Sequence, residues 1–329
     1  MPRQFLKTVA EKENNLLCQM LADIKKEQEG PHLLNKNFLI QLLILKIYQP
    51  SKFKEIKGGH SNDTYHYTDE NLVLRFPKVY NPLHPELSIE VQNLILANLL
   101  NLTPLKVVAY YSKYSLLVTE FIPSYRSFSA ADFKNPSKLI SLAHLVKKLH
   151  YSSLNFKKNS EMAISFIDES SKSFQMIKPI LDKKDYQILK KLIGIKNFLA
   201  KAYYLKFPAH GDLHHFNVIE INDNLQLIDW ELSSLEDPAY DISRLFCVTG
   251  FDNEQKEIFL QAYKNAGNVS LSECDIKNLI KRILLHESLN YFSIVIWAKY
   301  AMPFFYADKQ KLLQETIADF SAKDRLIRY

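Results

Sequence analysis

Apolar and polar positions alternate in two ways along the chain, and each predicts a different kind of element. Around Leu16, Leu17, Met20 and Leu21, and again over residues 39–48, apolar residues recur at helical spacing on either side of a break at Gly30-Pro31. Residues 1–49 therefore predict a helical extension. Between Phe53 and Phe76 the period shortens to two, and FKEIK, TYHYT and LVLRF predict three strands joined by the turn GGHSN and by Asp69-Glu70-Asn71. A helix over 87–100 and two further strands, LKVVAYYS and YSLLVTEFI, complete this part. Pro123 cannot donate to a strand ladder, so the boundary falls there. Helical spacing then returns over 139–150, in two or three amphipathic helices within 151–200, and from 254 to 329. One hairpin interrupts it, with alternating runs at 218–221 and 225–228 around Asn222-Asp223-Asn224. The expected class is α+β: an extension at 1–49, a sheet-rich part at 50–122 and a mainly helical part at 123–329.

Composition narrows the class of protein. A chain of 329 residues is long enough for two lobes, and 47% hydrophobic with 24% charged residues is usual for a soluble globular protein. The net charge of +6 suits an anionic ligand, but no concentrated Lys/Arg stripe accompanies it, so no nucleic-acid partner is expected. No apolar run reaches membrane-spanning length, and the first residues lack the apolar segment of a signal peptide. Cys18, Cys247 and Cys274 follow neither disulfide nor zinc spacing. Together these predict a cytoplasmic protein without membrane insertion. The pattern leaves the oligomeric state open.

Candidate chemistry concentrates in residues 210–241, HGDLHHFNVIEINDNLQLIDWELSSLEDPAYD. Folding the hairpin back brings Asp229 beside the loop that carries Asp212 and Asn217. Phosphoryl transfer uses such a cluster: one carboxylate takes a hydroxyl proton, while an amide oxygen and a second carboxylate hold Mg²⁺ on nucleotide phosphates. His214 and His215 are adjacent and do not converge on a metal, and the hard cation expected here prefers oxygen. Upstream, Gly58-Gly59 precedes Ser61 and Asn62 in a chain with only seven glycines. Backbone without Cβ atoms admits phosphate oxygens close to its N–H groups, although a plain hairpin turn uses the same residues.

His210-x-Asp212-x-x-x-x-Asn217, followed by Ile228-Asp229-Trp230-Glu231, resembles the catalytic and metal-binding loops of the choline kinase and aminoglycoside phosphotransferase families. These share a protein-kinase-like fold, with ATP and Mg²⁺ in the cleft between two lobes. The resemblance runs from Gly58 to Trp297. It implies transfer of the γ-phosphoryl group of ATP to a hydroxyl of a small molecule, foremost an amino alcohol such as choline or ethanolamine. By the same match Asp212 is the catalytic base, and Asn217 with Asp229 are the Mg²⁺ ligands. Ser61 and Asn62 lie in the phosphate loop, and Arg75 of VLRF is the phosphate-binding cation, with Glu90 as its partner. Glu120 and Ile122 stand where the backbone meets adenine, and His210 and Asp241 support the catalytic loop. Glu231, Asp237, Tyr240 and Trp297 fall near the acceptor.

The sequence also departs from the choline kinase pattern. Leu232 stands where a Tyr follows the DWE segment, Ile294 at the first of two Trp positions, and Val248 at an acid of eukaryotic members. A cage of aromatic rings attracts a quaternary ammonium by about 0.5 to 2 kcal/mol per ring, and here it lacks members. Three alternatives therefore stay open. An aminoglycoside-type phosphotransferase would line its acceptor site with Glu236, Asp237 and Glu287. A thiamine-type metabolite kinase is the second, and a nucleotide-binding regulatory module the third, although the intact base and metal residues count against it.

Overall fold

The structure, a computed structural model, describes residues 3–28, 33–56, 62–77, 87–157, 167, 169, 172–203, 205–267, 270–296 and 299. The chain divides into two compact units. The first comprises Met1–Tyr80, Glu86–Ile95 and Leu105–Pro123; the second comprises Asn81–Pro85, Leu96–Pro104 and Ser124–Tyr329.

The first unit opens with α1 (Arg3–Lys26), β1 (Leu33–Leu34) and α2 (Lys36–Tyr48). Strands β2 (Phe53–Glu55), β3 (Asn62–Tyr67) and β4 (Leu72–Pro77) follow, then α3 (Leu87–Leu99), whose last turn belongs to the second unit, then β5 (Val107–Tyr111) and β6 (Leu116–Glu120). The six strands form an antiparallel sheet in the order β1-β5-β6-β4-β3-β2. The strands expected over 53–76 and 105–122 supply β2 to β6. What the pattern does not show is β1, where Leu33 and Leu34 pair with Tyr111 and Tyr110. The helices join the same core: Leu17, Met20, Ile24, Leu39 and Leu43 pack in one buried cluster with Phe53, Leu74, Tyr111 and Val118. That explains why α2 is apolar nearly all round, since a helix with a polar face would not be covered on so many sides.

The second unit begins with β7 (Arg126–Ser127), α4 (Pro136–His150), α5 (Lys172–Ile177) and α6 (Lys183–Ala202). Next come β8 (Phe207–Ala209), β9 (Val218–Ile221), β10 (Asn224–Leu227) and β11 (Ser234–Glu236), then α7 (Pro238–Thr249), α8 (Asn253–Asn265) and α9 (Glu273–Ile296). The turn of the β9–β10 hairpin is two residues long. Asn222 and Asp223 both have positive φ, 48° and 62°, the conformation that matches the twist of tightly joined strands. Asn224 consequently leaves the turn and pairs with Ile221. β7 adds a third strand to this hairpin, and β8 pairs with β11. Helix α7 starts at Pro238 with Asp237 as its cap and stops at Gly250, φ 75°. It packs along α9, as α4 packs on α8. No helix among the described residues is long and apolar enough to cross a membrane.

Leu43 is fully buried in the cluster shared by the helices and the sheet. Leu43→Ala should lower the unfolding free energy by about 2 to 5 kcal/mol, measured in urea titrations. A loss under about 0.5 kcal/mol would mean that α2 does not belong to this core.

Candidate active site

The loop between β8 and β9 and the turn after β10 are joined by their backbones. Ile228 N–H donates to the Asn217 carbonyl at 3.1 Å, and His210 Nε2 lies 2.9 Å from the Ile228 carbonyl. Gly211 has φ 84°, and a Cβ there would overlap the carbonyl oxygen of Leu232. Only glycine permits this approach. Asp229, the residue after Ile228, adopts a left-handed backbone with φ 68°, which Asp tolerates better than most residues. Trp230 is buried against His210 and Phe156 and anchors the far side of that turn. The residues that the spacing places together, Asp212, Asn217 and Asp229, thus lie on two segments bonded to each other.

Asp241, on the first turn of α7, holds the loop from below. Its carboxylate accepts His210 N–H at 2.7 Å and Gly211 N–H at 2.8 Å, and His150 Nε2 lies 3.1 Å away. Burial pushes this carboxyl up, but the hydrogen bonds and the nearby histidines outweigh it and hold the group below the usual range. His150 in turn lies 2.8 Å from the Tyr263 hydroxyl through Nδ1.

Asp212 carries its charge in a different way. Arg244 reaches its Oδ1 with Nε at 2.7 Å and Nη2 at 2.5 Å, while His214 Nε2 is 3.3 Å from Oδ2. Burial works against the charge, yet Arg244 and His214 together hold the carboxyl far below the usual carboxylate range. Asn217 donates its amide N–H to the Asp212 carbonyl at 2.9 Å, which leaves Oδ1 as its acceptor atom. An amide oxygen and the Asp229 carboxylate are the hard donors that Mg²⁺ takes. Mg²⁺ keeps several waters and needs only one or two carboxylates beside substrate phosphates, so this small oxygen set fits it. Among the described residues no group of three His, Cys, Asp or Glu side chains could hold a metal by itself.

In the first unit Arg75, on β4, places Nη2 at 2.6 Å from both oxygens of Glu90 on α3, and Glu90 is 2% exposed. Asn62 opens β3, with its Oδ1 buried and lacking a hydrogen-bond partner. Glu120 ends β6 and pairs with Lys106 at 3.2 Å; Ile122 follows two residues on, outside the strand.

The family follows from a sequence model described as choline/ethanolamine kinase, which matches residues 53–314. The chain belongs to the choline/ethanolamine kinase family. A LicA homologue of Metamycoplasma hominis is 29% identical over 160 residues, 47% of this chain and 57% of that protein. The chain therefore spans little more than half of that relative. Among solved structures, the choline kinase LicA from Streptococcus pneumoniae is similar with a TM-score of 0.63 at 20% identity, covering 85% of this chain and 99% of that one. An ethanolamine kinase of Plasmodium vivax is similar at 0.64 and 15% identity, covering 94% and 93%. What these structures share with the chain is the protein-kinase-like fold.

Of the expected acceptor residues, Asp237 and Tyr240 both meet His286. Asp237 caps α7 and accepts Arg282 Nε at 2.8 Å, Tyr240 is fully buried against His286, and Glu231 is half-buried in the turn after Asp229. Ser61 and Trp297 lie outside the described residues. The sequence reading did not find Arg244. It sits three residues after Asp241 on α7, and a cation among Ile242, Leu245 and Phe246 was the available signal.

Gly211→Ala would force a Cβ into the Leu232 carbonyl at a left-handed backbone. It should cost at least about 2 kcal/mol of stability, read in denaturant titrations, with loss of turnover; a variant as stable and active as the parent would show that the two segments do not meet. Asp237 titrates separately. Burial pushes it up, but His286 and Arg282 hold it down at about 2, below the unfolded value near 3.9. Its contribution is present above about pH 4 and disappears as pH falls toward 2. Asp237→Asn should remove roughly 2 kcal/mol of acid-sensitive stability, measured by unfolding at stepped pH.

Proposed function

We propose that this chain transfers the γ-phosphoryl group of ATP, with Mg²⁺, to the hydroxyl of a small amino alcohol in the cytoplasm. The observation that carries this reading is the Asp212 carboxylate held by the Arg244 guanidinium, beside Asn217 and Asp229, in a member of the choline/ethanolamine kinase family.

On this reading Asp212 accepts a hydrogen bond from the acceptor hydroxyl and aims its oxygen at the γ-phosphorus. As the new O–P bond forms and the bond to the β–γ bridging oxygen breaks, releasing ADP, the hydroxyl proton passes to Asp212 and then to solvent. A carboxylate held this far below neutral is a weak base, which suits a transition state in which proton transfer is late and positioning does most of the catalysis. Asn217 Oδ1 and the Asp229 carboxylate would hold Mg²⁺, which neutralises phosphate charge when bound with the nucleotide. Arg75, kept in place by Glu90, would supply a fixed cation for the phosphates.

The acceptor class rests partly on charge. A polycationic sugar needs carboxylates to meet it, yet each acid the sequence offers is paired with a cation of the chain. Glu236 pairs with Lys206 at 2.8 Å, Asp237 with Arg282 at 2.8 Å and Glu287 with Lys256 at 2.7 Å. A small acceptor with a single amine fits that surface better. The similar S. pneumoniae and P. vivax proteins are a choline kinase and an ethanolamine kinase, which supports the same class.

Asp212→Asn should leave MgATP affinity unchanged in calorimetry while turnover drops by about 10² to 10⁴. Full turnover in that variant would remove Asp212 from the mechanism. Asp229→Ala should weaken MgATP binding by at least about tenfold, and an unaltered affinity would argue against its role.

A further inference from the structure

The net charge of +6 is not spread evenly over the fold. Helix α6 carries Lys183, Lys184, Lys190, Lys191, Lys196 and Lys201 against a single acid, Asp185. Along the sequence these lysines are interrupted and form no long run. On a helix that turns about 100° per residue, all of them except Lys196 fall within about a third of the circumference. Gln187, Gly194 and Phe198 lie in the same arc, no acid does, and every residue of the arc is exposed. Packing fixes the opposite side: Leu189, Leu192 and Leu199 join Leu289, Phe292 and Ile296 of α9 in one buried cluster. The lysine arc therefore faces away from the protein.

Nothing in the chain answers this charge. Among the described residues none of the arc lysines forms an ion pair. The acids at the start of the helix are occupied elsewhere, since Asp182 and Asp185 both accept Lys299 Nζ, at 2.7 and 2.6 Å. Like charges gathered on one face repel one another, and their complement is an anionic surface outside the chain. Phe198 says which kind of surface. It lies in the middle of the arc and is 56% exposed, and Leu205, just beyond the helix, is 62% exposed. An apolar ring set among ammonium groups suits a lipid interface, where the ring enters the acyl boundary while lysine stems lie along it and their charges stay with the headgroups. Nucleic-acid phosphates favour the planar fork of arginine, and α6 has no arginine.

We propose that the outer face of α6 docks this chain on an anionic lipid surface, with its lysines on the headgroups and Phe198 at the acyl boundary. The 20 residues of α6 extend about 30 Å and lie along the membrane rather than through it.

The test is co-sedimentation of the full chain with vesicles of phosphatidylcholine alone, or with about a third of that lipid replaced by phosphatidylglycerol. At low salt the partition coefficient should be at least about tenfold higher on the anionic vesicles, and it should fall as added NaCl shortens the screening length. Lys184→Gln, Lys191→Gln and Lys201→Gln together should lower it by at least about tenfold. Lys25→Gln, Lys54→Gln and Lys277→Gln remove the same charge from other faces and should leave most of the binding. All these positions are exposed, and thermal melts check that both triple variants fold. Phe198→Ser should weaken binding with its salt dependence unchanged, because no charge is lost. Equal partition onto the two kinds of vesicle, equal losses from the two triple variants, or displacement by a DNA duplex at matched phosphate concentration would overturn the proposal.

Discussion

A buried carboxylate with two backbone donors sets the geometry of the second unit. Asp241 is fully buried, and taking a charge out of water is expensive unless the protein replaces that water. The replacement comes from the N–H groups of His210 and Gly211 and from the ring of His150. Because two of the three donors are successive backbone groups, satisfying the charge fixes the loop's direction as well as its position. Asp212 is the next residue, so it inherits that direction. Gly211 closes the arrangement on the other side, where its bare Cα rests against the Leu232 carbonyl and ties the loop to the turn that carries Asp229.

The same economy governs charge elsewhere. Arg75 with Glu90, Asp212 with Arg244 and Asp237 with Arg282 are pairs in which a planar guanidinium meets a carboxylate. Such pairs lose little freedom on forming and resist rotation, which a compact ammonium would not do. Under the proposed function the consequence for Asp212 is mechanistic. A carboxylate kept ionised by Arg244 gives up basicity, and in exchange its orientation does not depend on the arrival of substrate. In phosphoryl transfer that exchange is favourable, because the reaction asks for alignment more than for strong proton abstraction.

The parts legible in the sequence are those encoded locally. Period-two runs give β2 to β4, apolar runs give β5 and β6, and the turn at 222–224 gives the hairpin whose return carries Asp229 toward Asn217. The α+β class follows from the order of those runs, and the kinase-like fold was implied by the resemblance that the motifs in 210–241 bear to a known family. What escaped depends on partners distant in sequence. Leu33 and Leu34 form a strand only because Tyr110 and Tyr111 lie beside them, and two apolar residues before a helix carry no period. β8 and β11 are three residues each and exist through one another. Arg244 stays unnoticed in the sequence because its partner, Asp212, lies thirty-two residues earlier and only the fold brings the two together. Periodicity reports which face of an element is buried, and it is silent on which polar group a buried face meets.

That distinction separates what the backbone fixes around the 210–212 loop from what the side chains are free to do. At position 232 the fold uses the backbone carbonyl, against which Gly211 rests, so the side chain there can vary without moving the catalytic loop. α7 divides its residues in the same way. Asp241 and Arg244 serve the loop, whereas Tyr240 and Ser243 turn to α9.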